Sequence, residues 1–198
     1  MEVNYLQFTN LIGIGEAGLS FVNFAVTKGC IKKNCTVILN PHKSINKPMK
    51  GYKIFSKKSS AEVNYTTIAE AQCNQSKTIV VFGGAGNFSS DVAVRLNAAL
   101  LLNAALKSLE EPISYIMIGP FRFEGIPRQN HANATRKKLN RLNQFCHYFS
   151  NQDIFSLVDS KASFETGFVK LNLKILELVN VEVLSDDSKN KNVWLSAL

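Results

Sequence analysis

Apolar residues gather in short, dense runs, and the stretches between them repeat at helical spacing. Phe8 to Ile14, Cys35 to Leu39, Thr78 to Phe82, Ile113 to Ile118 and Phe145 to Phe149 read as strands, with a shorter one at Tyr52 to Phe55. Between them, Leu19 to Thr27 carries Phe21, Val22, Phe24, Ala25 and Val26 at spacings that suit a buried helix closed by Gly29. Further helices are predicted over Ala61 to Cys73, over Val92 to Leu109 with Ser89, Ser90 and Asp91 as N-cap candidates, over Pro127 to Gln144, and over Ala162 to Val179. Near-continuous apolar strands alternating with helices imply an α/β domain: a three-layer, mainly parallel, Rossmann-like sheet covered on both faces. Asn40 to Ser60, rich in Lys, Pro, Asn and Ser, reads as a long basic loop, and Asp186 to Asn192 as a loose tail. The domain is therefore expected over 1–182 and the tail over 183–198.

Composition narrows the class. With 198 residues, 45% hydrophobic and 19% charged, the chain fits one globular domain. No run of eighteen apolar residues occurs, and Met1 to Tyr5 does not open a signal sequence, so a cytoplasmic location is expected. Cys30, Cys35, Cys73 and Cys146 lack the paired spacing of a zinc site, and His42, His131 and His147 are scattered, so no metal site is expected of the protein's own residues. The net charge of +8 suits an anionic partner, nucleic acid or an acidic surface, although the basic clusters show no regular aromatic interleaving of the kind that stacks bases. A solvated basic face is the plainer reading.

Two glycine clusters carry the candidate chemistry. Gly13-Ile14-Gly15-Glu16-Ala17-Gly18 follows the first strand and matches the G-x-G-x-x-G phosphate-binding turn, in which backbone amides and a helix N-terminus approach a phosphate. A dinucleotide site would want an acid at the end of the second strand, where Asn40 stands, and Glu16 sets a negative charge inside the turn. A turn serving only close strand–helix packing is the alternative. Gly83-Gly84-Ala85-Gly86-Asn87 follows the strand at Thr78 to Phe82 and has the makings of a second anion-binding nest. Asp91 behind it reads as a first-turn acid.

The order of these pieces, together with Gly119-Pro120-Phe121-Arg122-Phe123-Glu124-Gly125-Ile126-Pro127-Arg128, resembles the N-terminal GTP-binding domain of the tubulin/FtsZ family. That segment is similar to the family's T-K-P-F-x-F-E-G-x-x-R. Ile12 to Val22 resembles its first glycine loop, Val80 to Asn87 its glycine signature loop, Phe149 to Asp153 its I-P-N-D turn, and Ser163-Phe164 the start of its central helix. The resemblance implies GTP or GDP as ligand, with Mg2+ beside GTP, held by Gly13, Gly15, Gly18, Gly83, Gly84, Ala85, Gly86, Asn87, Glu124 and Arg128. It also implies self-association or an FtsZ-like partner.

The departures bear on function. The signature loop lacks its threonines and carries Phe88, and the Asn-Asp pair that reads guanine falls on Phe168 and Val169. Lys50 to Lys58 stands in for the loop around the γ-phosphate. The family's water-activating acids lie beyond the central helix, and no catalytic residue is assigned in this chain. The expected function is therefore that of a binding or regulatory protein with a degenerate GTP site. A GTPase dependent on a partner is the alternative, and an NAD-binding oxidoreductase ranks below both.

Overall fold

A computed structural model describes residues 9–30, 35–40, 52–72, 77–106, 113–142 and 146–195, with side chains beyond residue 179 left aside. Among the described residues six strands form one sheet: β1 (Thr9–Ile14), β2 (Cys35–Leu39), β3 (Tyr52–Ser56), β4 (Lys77–Gly83), β5 (Ile113–Gly119) and β6 (Cys146–Ser150). The order is β3-β2-β1-β4-β5-β6 and every pairing is parallel. The doubly wound sheet expected from the apolar runs is present. Cys35 to Leu39 and Ile113 to Gly119 are buried throughout, as a strand sandwiched between two helical layers must be, whereas edge strand β6 buries only Cys146 and Phe149 and leaves His147, Tyr148 and Ser150 partly or fully open.

Side-chain alternation assigns the two layers. Leu11, Val37, Ile79, Val81, Ile116 and Ile118 face α1 (Gly15–Thr27) and α6 (Phe164–Leu195), meeting Phe21, Val22, Leu171 and Ile175. Their neighbours Ile12, Ile14, Ile38, Val80, Phe82 and Met117 face α2 (Tyr65–Gln72), α3 (Asn87–Leu106) and α4 (Ile126–Arg141), meeting Ile68, Val92, Leu96, Leu100 and Leu139. Helix α1 buries Gly18, Phe21, Val22 and Ala25, one stripe at helical spacing. A single-turn helix, α5 (Ile154–Leu157), joins β6 to α6 and is absent from the sequence reading because four residues carry no periodicity.

Several boundaries differ from expectation: α2 begins at Tyr65 rather than Ala61, and α4 ends at Arg141 rather than Gln144. Helix α1 begins at Gly15, four residues before Leu19, so the second half of the glycine motif is its first turn. Helix α3 starts at Asn87, ahead of the expected N-cap serines. Helix α6 continues to Leu195 through the stretch 183–195 expected to be a loose tail. After Gly167 that stretch contains neither Gly nor Pro, so nothing interrupts the hydrogen-bond ladder, although its Asp, Ser, Asn and Lys residues read as loop. Most of the expected basic loop, residues 41–51, and Cys73 lie outside the described residues.

Cys30, Cys35 and Cys146 are buried free thiols. Burial pushes Cys35 and Cys146 up from 9.0 to about 11, the latter partly offset by Arg136 and a backbone bond at Met117. A folded-state value above the unfolded one means that the stability gained by keeping these thiols protonated is fully present below pH 9.0 and lost as pH rises toward about 11. Thermal denaturation followed by circular dichroism is expected to show a falling midpoint across that window, and a C35S/C146S variant a smaller fall.

Candidate functional site at the carboxyl edge of the sheet

The chain crosses from β2 and β3 on one side of β1 to β4, β5 and β6 on the other, so the sheet switches direction between β1 and β4. Ligands of doubly wound sheets bind outside the carboxyl ends of the strands at such a switch point. Both glycine segments lie there, one leaving β1 and the other leaving β4.

The first segment is shaped largely by packing. A methyl group on Gly18 would lie 2.5 Å from the Val81 carbonyl oxygen and 2.7 Å from the Gly13 carbonyl carbon, and one on Gly13 would lie 2.6 Å from the Gly18 oxygen. These two glycines let α1 press onto β1 and β4, the role set against phosphate binding in the sequence reading. Gly15 is different: its φ of 69° is left-handed, and a methyl there would overlap Ser89 Oγ. Ser89 thus reaches from the first turn of α3 across to the first turn of α1. Glu16 is exposed on that turn, a favourable place for an acid near a helix N-terminus.

In the second segment, the Gly84 amide donates to the Ile118 carbonyl at 2.9 Å and is committed to β5. Ser90 Oγ donates to the Gly84 carbonyl at 3.1 Å, and the Ser90 amide to the Gly86 carbonyl at 3.0 Å. Gly86 and Asn87 are exposed at the start of α3, and a methyl on Gly86 would meet nothing closer than Ser89 Oγ at 3.9 Å. Phe88, the bulky residue that the signature loop carries, packs onto the core beneath α2, α3 and α4. Asp91 accepts from Ser60 Oγ at 3.1 Å and lies 4.0 Å from Arg95, a surface role.

Glu124 and Arg128 are brought together by the turn after β5. Glu124 Oε1 accepts from the Phe121 amide at 2.9 Å, and Oε2 accepts from Arg128 Nη1 at 2.5 Å. One carboxylate thereby caps the 3-10 turn Arg122–Glu124 and holds the first turn of α4, which enters through Gly125 at φ 92°. The neighbouring loop is tied in as well: the Arg122 amide donates to Gln152 Oε1 at 3.2 Å and Ser150 Oγ to the Pro120 carbonyl at 3.4 Å.

Beside these loops lies a feature that sequence reasoning missed. Phe121 stacks on Phe123 with centroids 4.7 Å apart and meets Phe155, Phe164 and Phe168 edge-on at 5.9, 6.0 and 6.2 Å. Phe123, Phe155 and Phe164 are 71%, 52% and 55% exposed, a contiguous aromatic surface. Phe168 turns toward the core and Val169 toward solvent. A small cavity of about 70 Å³ opens between α5 and α6, lined by Phe155, Phe164, Asp159 and Ser163 among others. The paired phenylalanines at Phe121/Phe123 and Phe164/Phe168 were the available signal. Among the described residues no group of His, Cys, Asp and Glu is placed to hold a metal ion, and no helix is long and apolar enough to cross a membrane.

Solved structures of similar backbone include the following three. The FtsZ W319Y mutant of M. jannaschii superposes with a TM-score of 0.65 at 15% identity, covering 87% of this chain and 55% of that one. The fold is that of the FtsZ/tubulin GTPase domain. CetZ2 from Haloferax volcanii, solved as a GTPγS-bound protofilament, matches with a TM-score of 0.61 at 18% identity over 88% of this chain and 57% of that one. TubZ of Clostridium botulinum phage c-st matches at 0.61 and 17% identity, over 87% and 57%. The chain thus spans a little over half the length of the proteins that share its FtsZ-like fold. No protein-family model and no curated protein matches it.

Proposed function

We propose that this FtsZ-fold domain is a cytosolic binding or regulatory protein with a degenerate GTP site, directed at an FtsZ-like homologue or at a second copy of itself. The observation that carries the reading is the five-ring aromatic cluster at the carboxyl edge, with three rings open to solvent. An apolar surface of this kind suits protein contact, and Phe168 and Val169 offer no hydrogen bonds to a base. Glu124 and Arg128 satisfy each other, and the Gly84 amide is spent on β5. Isothermal titration with GTP, GDP and ATP in the presence of Mg2+ is expected to give no binding heat at micromolar protein. Micromolar affinity for GTP accompanied by turnover would sink the proposal.

A GTP-binding protein whose catalytic acid comes from a partner is the second reading. It is favoured by the exposed start of α3 at Gly86 and Asn87, where backbone amides and the helix dipole face solvent. On that reading Gly13, Gly15, Gly18, Gly83, Gly84, Ala85, Gly86 and Asn87 line the phosphates, Glu124 and Arg128 hold the sugar or phosphate, and turnover per molecule rises with protein concentration.

A further inference from the structure

The solvent face of α4 is strongly one-signed. Between Ile126 and Arg141 the helix carries Arg128, Arg136, Lys137, Lys138 and Arg141 and neither Asp nor Glu. Arg128 is bound to Glu124, and the Arg136 guanidinium lies over the Tyr148 ring at 5.4 Å. Lys137, Lys138 and Arg141 remain, and among the described residues no carboxylate lies within ion-pair distance of them. Ala132, Thr135 and Leu139 face the core, so helical periodicity sets Asn130, Asn133, Lys137 and Arg141 in a row on the opposite side, with Lys138 and Asn140 flanking it. All six are exposed.

We infer that this row binds the phosphodiester backbone of a nucleic acid. Lysine, arginine and asparagine are donors that phosphate oxygens accept from, and nothing in the row is specialised for reading a base, so binding is independent of sequence. From Asn130 to Arg141 the row extends about 16 Å along the helix axis, roughly the axial length of five phosphates on one strand. The net charge of +8 adds long-range attraction in the same sense.

Other occupants fit less well. Along the row from Asn130 to Arg141 no large apolar side chain is exposed, and Ile126, one turn before it and 71% exposed, is a single apolar group where an interfacial helix inserts a whole face. Cations in the last turn also suit the helix dipole, but a helix built for its dipole alone would place acids in its first turn, where α4 has none.

The test is fluorescence anisotropy of the full chain with a labelled single strand of about 20 nucleotides and its duplex, across roughly 50 to 200 mM salt. The parent protein is expected to bind with affinity that falls steeply with salt. The K137A/R141A variant should bind at least about ten-fold more weakly and with a salt slope shallower by about 2. Lys170→Ala with Lys174→Ala removes the same charge at the same spacing from exposed positions on α6 and should leave both quantities nearly unchanged. Absence of binding at the lowest salt would overturn the inference, as would equal weakening by the α6 pair. So would tighter binding of poly-glutamate or phosphatidylserine vesicles than of either oligonucleotide. All four side chains are exposed, and circular dichroism of each variant confirms that the fold is kept.

Discussion

Replacing Phe121 with alanine is expected to lower stability by about 3–5 kcal/mol, the usual range for emptying a buried aromatic site. Phe121 is 8% exposed and is the ring on which Phe123, Phe155, Phe164 and Phe168 converge. Its loss removes a side chain that joins the turn after β5 to α5 and the first two turns of α6. At a few degrees per kcal/mol for a domain of this size, scanning calorimetry should show a midpoint lower by on the order of 10 °C. Phe123→Ala, at a ring 71% exposed, should cost less than about 1 kcal/mol. Equal losses in the two variants would mean that the cluster is not organised around Phe121. If the aromatic surface is the docking face, Phe123→Ala weakens the partner complex while leaving the midpoint nearly in place.

Gly18→Ala carries the second large effect. Its methyl would meet three backbone atoms between 2.5 and 2.8 Å, in Val81 and Gly13, and none of them belongs to a side chain able to swing away. Overpacking of this kind costs about 1–3 kcal/mol, and more where strands must part. Gly13→Ala meets the reciprocal contacts, so the two substitutions relieve or worsen one interface and should combine less than additively. Gly86→Ala, facing open space, is the internal comparison and should stay within about 0.5 kcal/mol. Urea denaturation of the three variants decides it. A Gly18→Ala variant as stable as Gly86→Ala would show that helix α1 does not press on the sheet as closely as described.

How much of this was legible depended on the physical range of each signal. Strand β2 was read to the residue because Cys35 to Leu39 is buried on both faces, and nothing but an apolar run can fill such a place. The fold followed from several such runs separated by helices. Helix starts were misplaced at Gly15 and Asn87 because glycine and asparagine argue against helix locally, while the strand-to-helix turn imposes it. At the candidate site, the closeness of Glu124 and Arg128 in sequence allowed a surface pair at a helix start, but not that Gly125 would turn the chain between them or that the Phe121 amide takes the second carboxylate oxygen. The fate of Phe88 was hidden for the same reason. A side chain at a helix start points either to the crevice or to the core, and only the tertiary packing of α2 and α3 decides which. The aromatic cluster unites residues more than forty positions apart, beyond the reach of any local periodicity.

The strand order has a consequence for how the sheet comes into being during synthesis. β1, β2 and β3 are made first and lie side by side, which leaves the far edge of β1 bare until β4 arrives. Twenty residues separate Ser56 from Lys77. At a synthesis rate of about 5–20 residues per second, the central strand of the finished protein therefore spends roughly 1–4 s as an exposed edge on the ribosome. Its residues Leu11, Ile12 and Ile14 belong to the core of the completed domain. In that interval a strand that ends buried between two neighbours presents an apolar open edge to chaperones and to the nascent chains beside it.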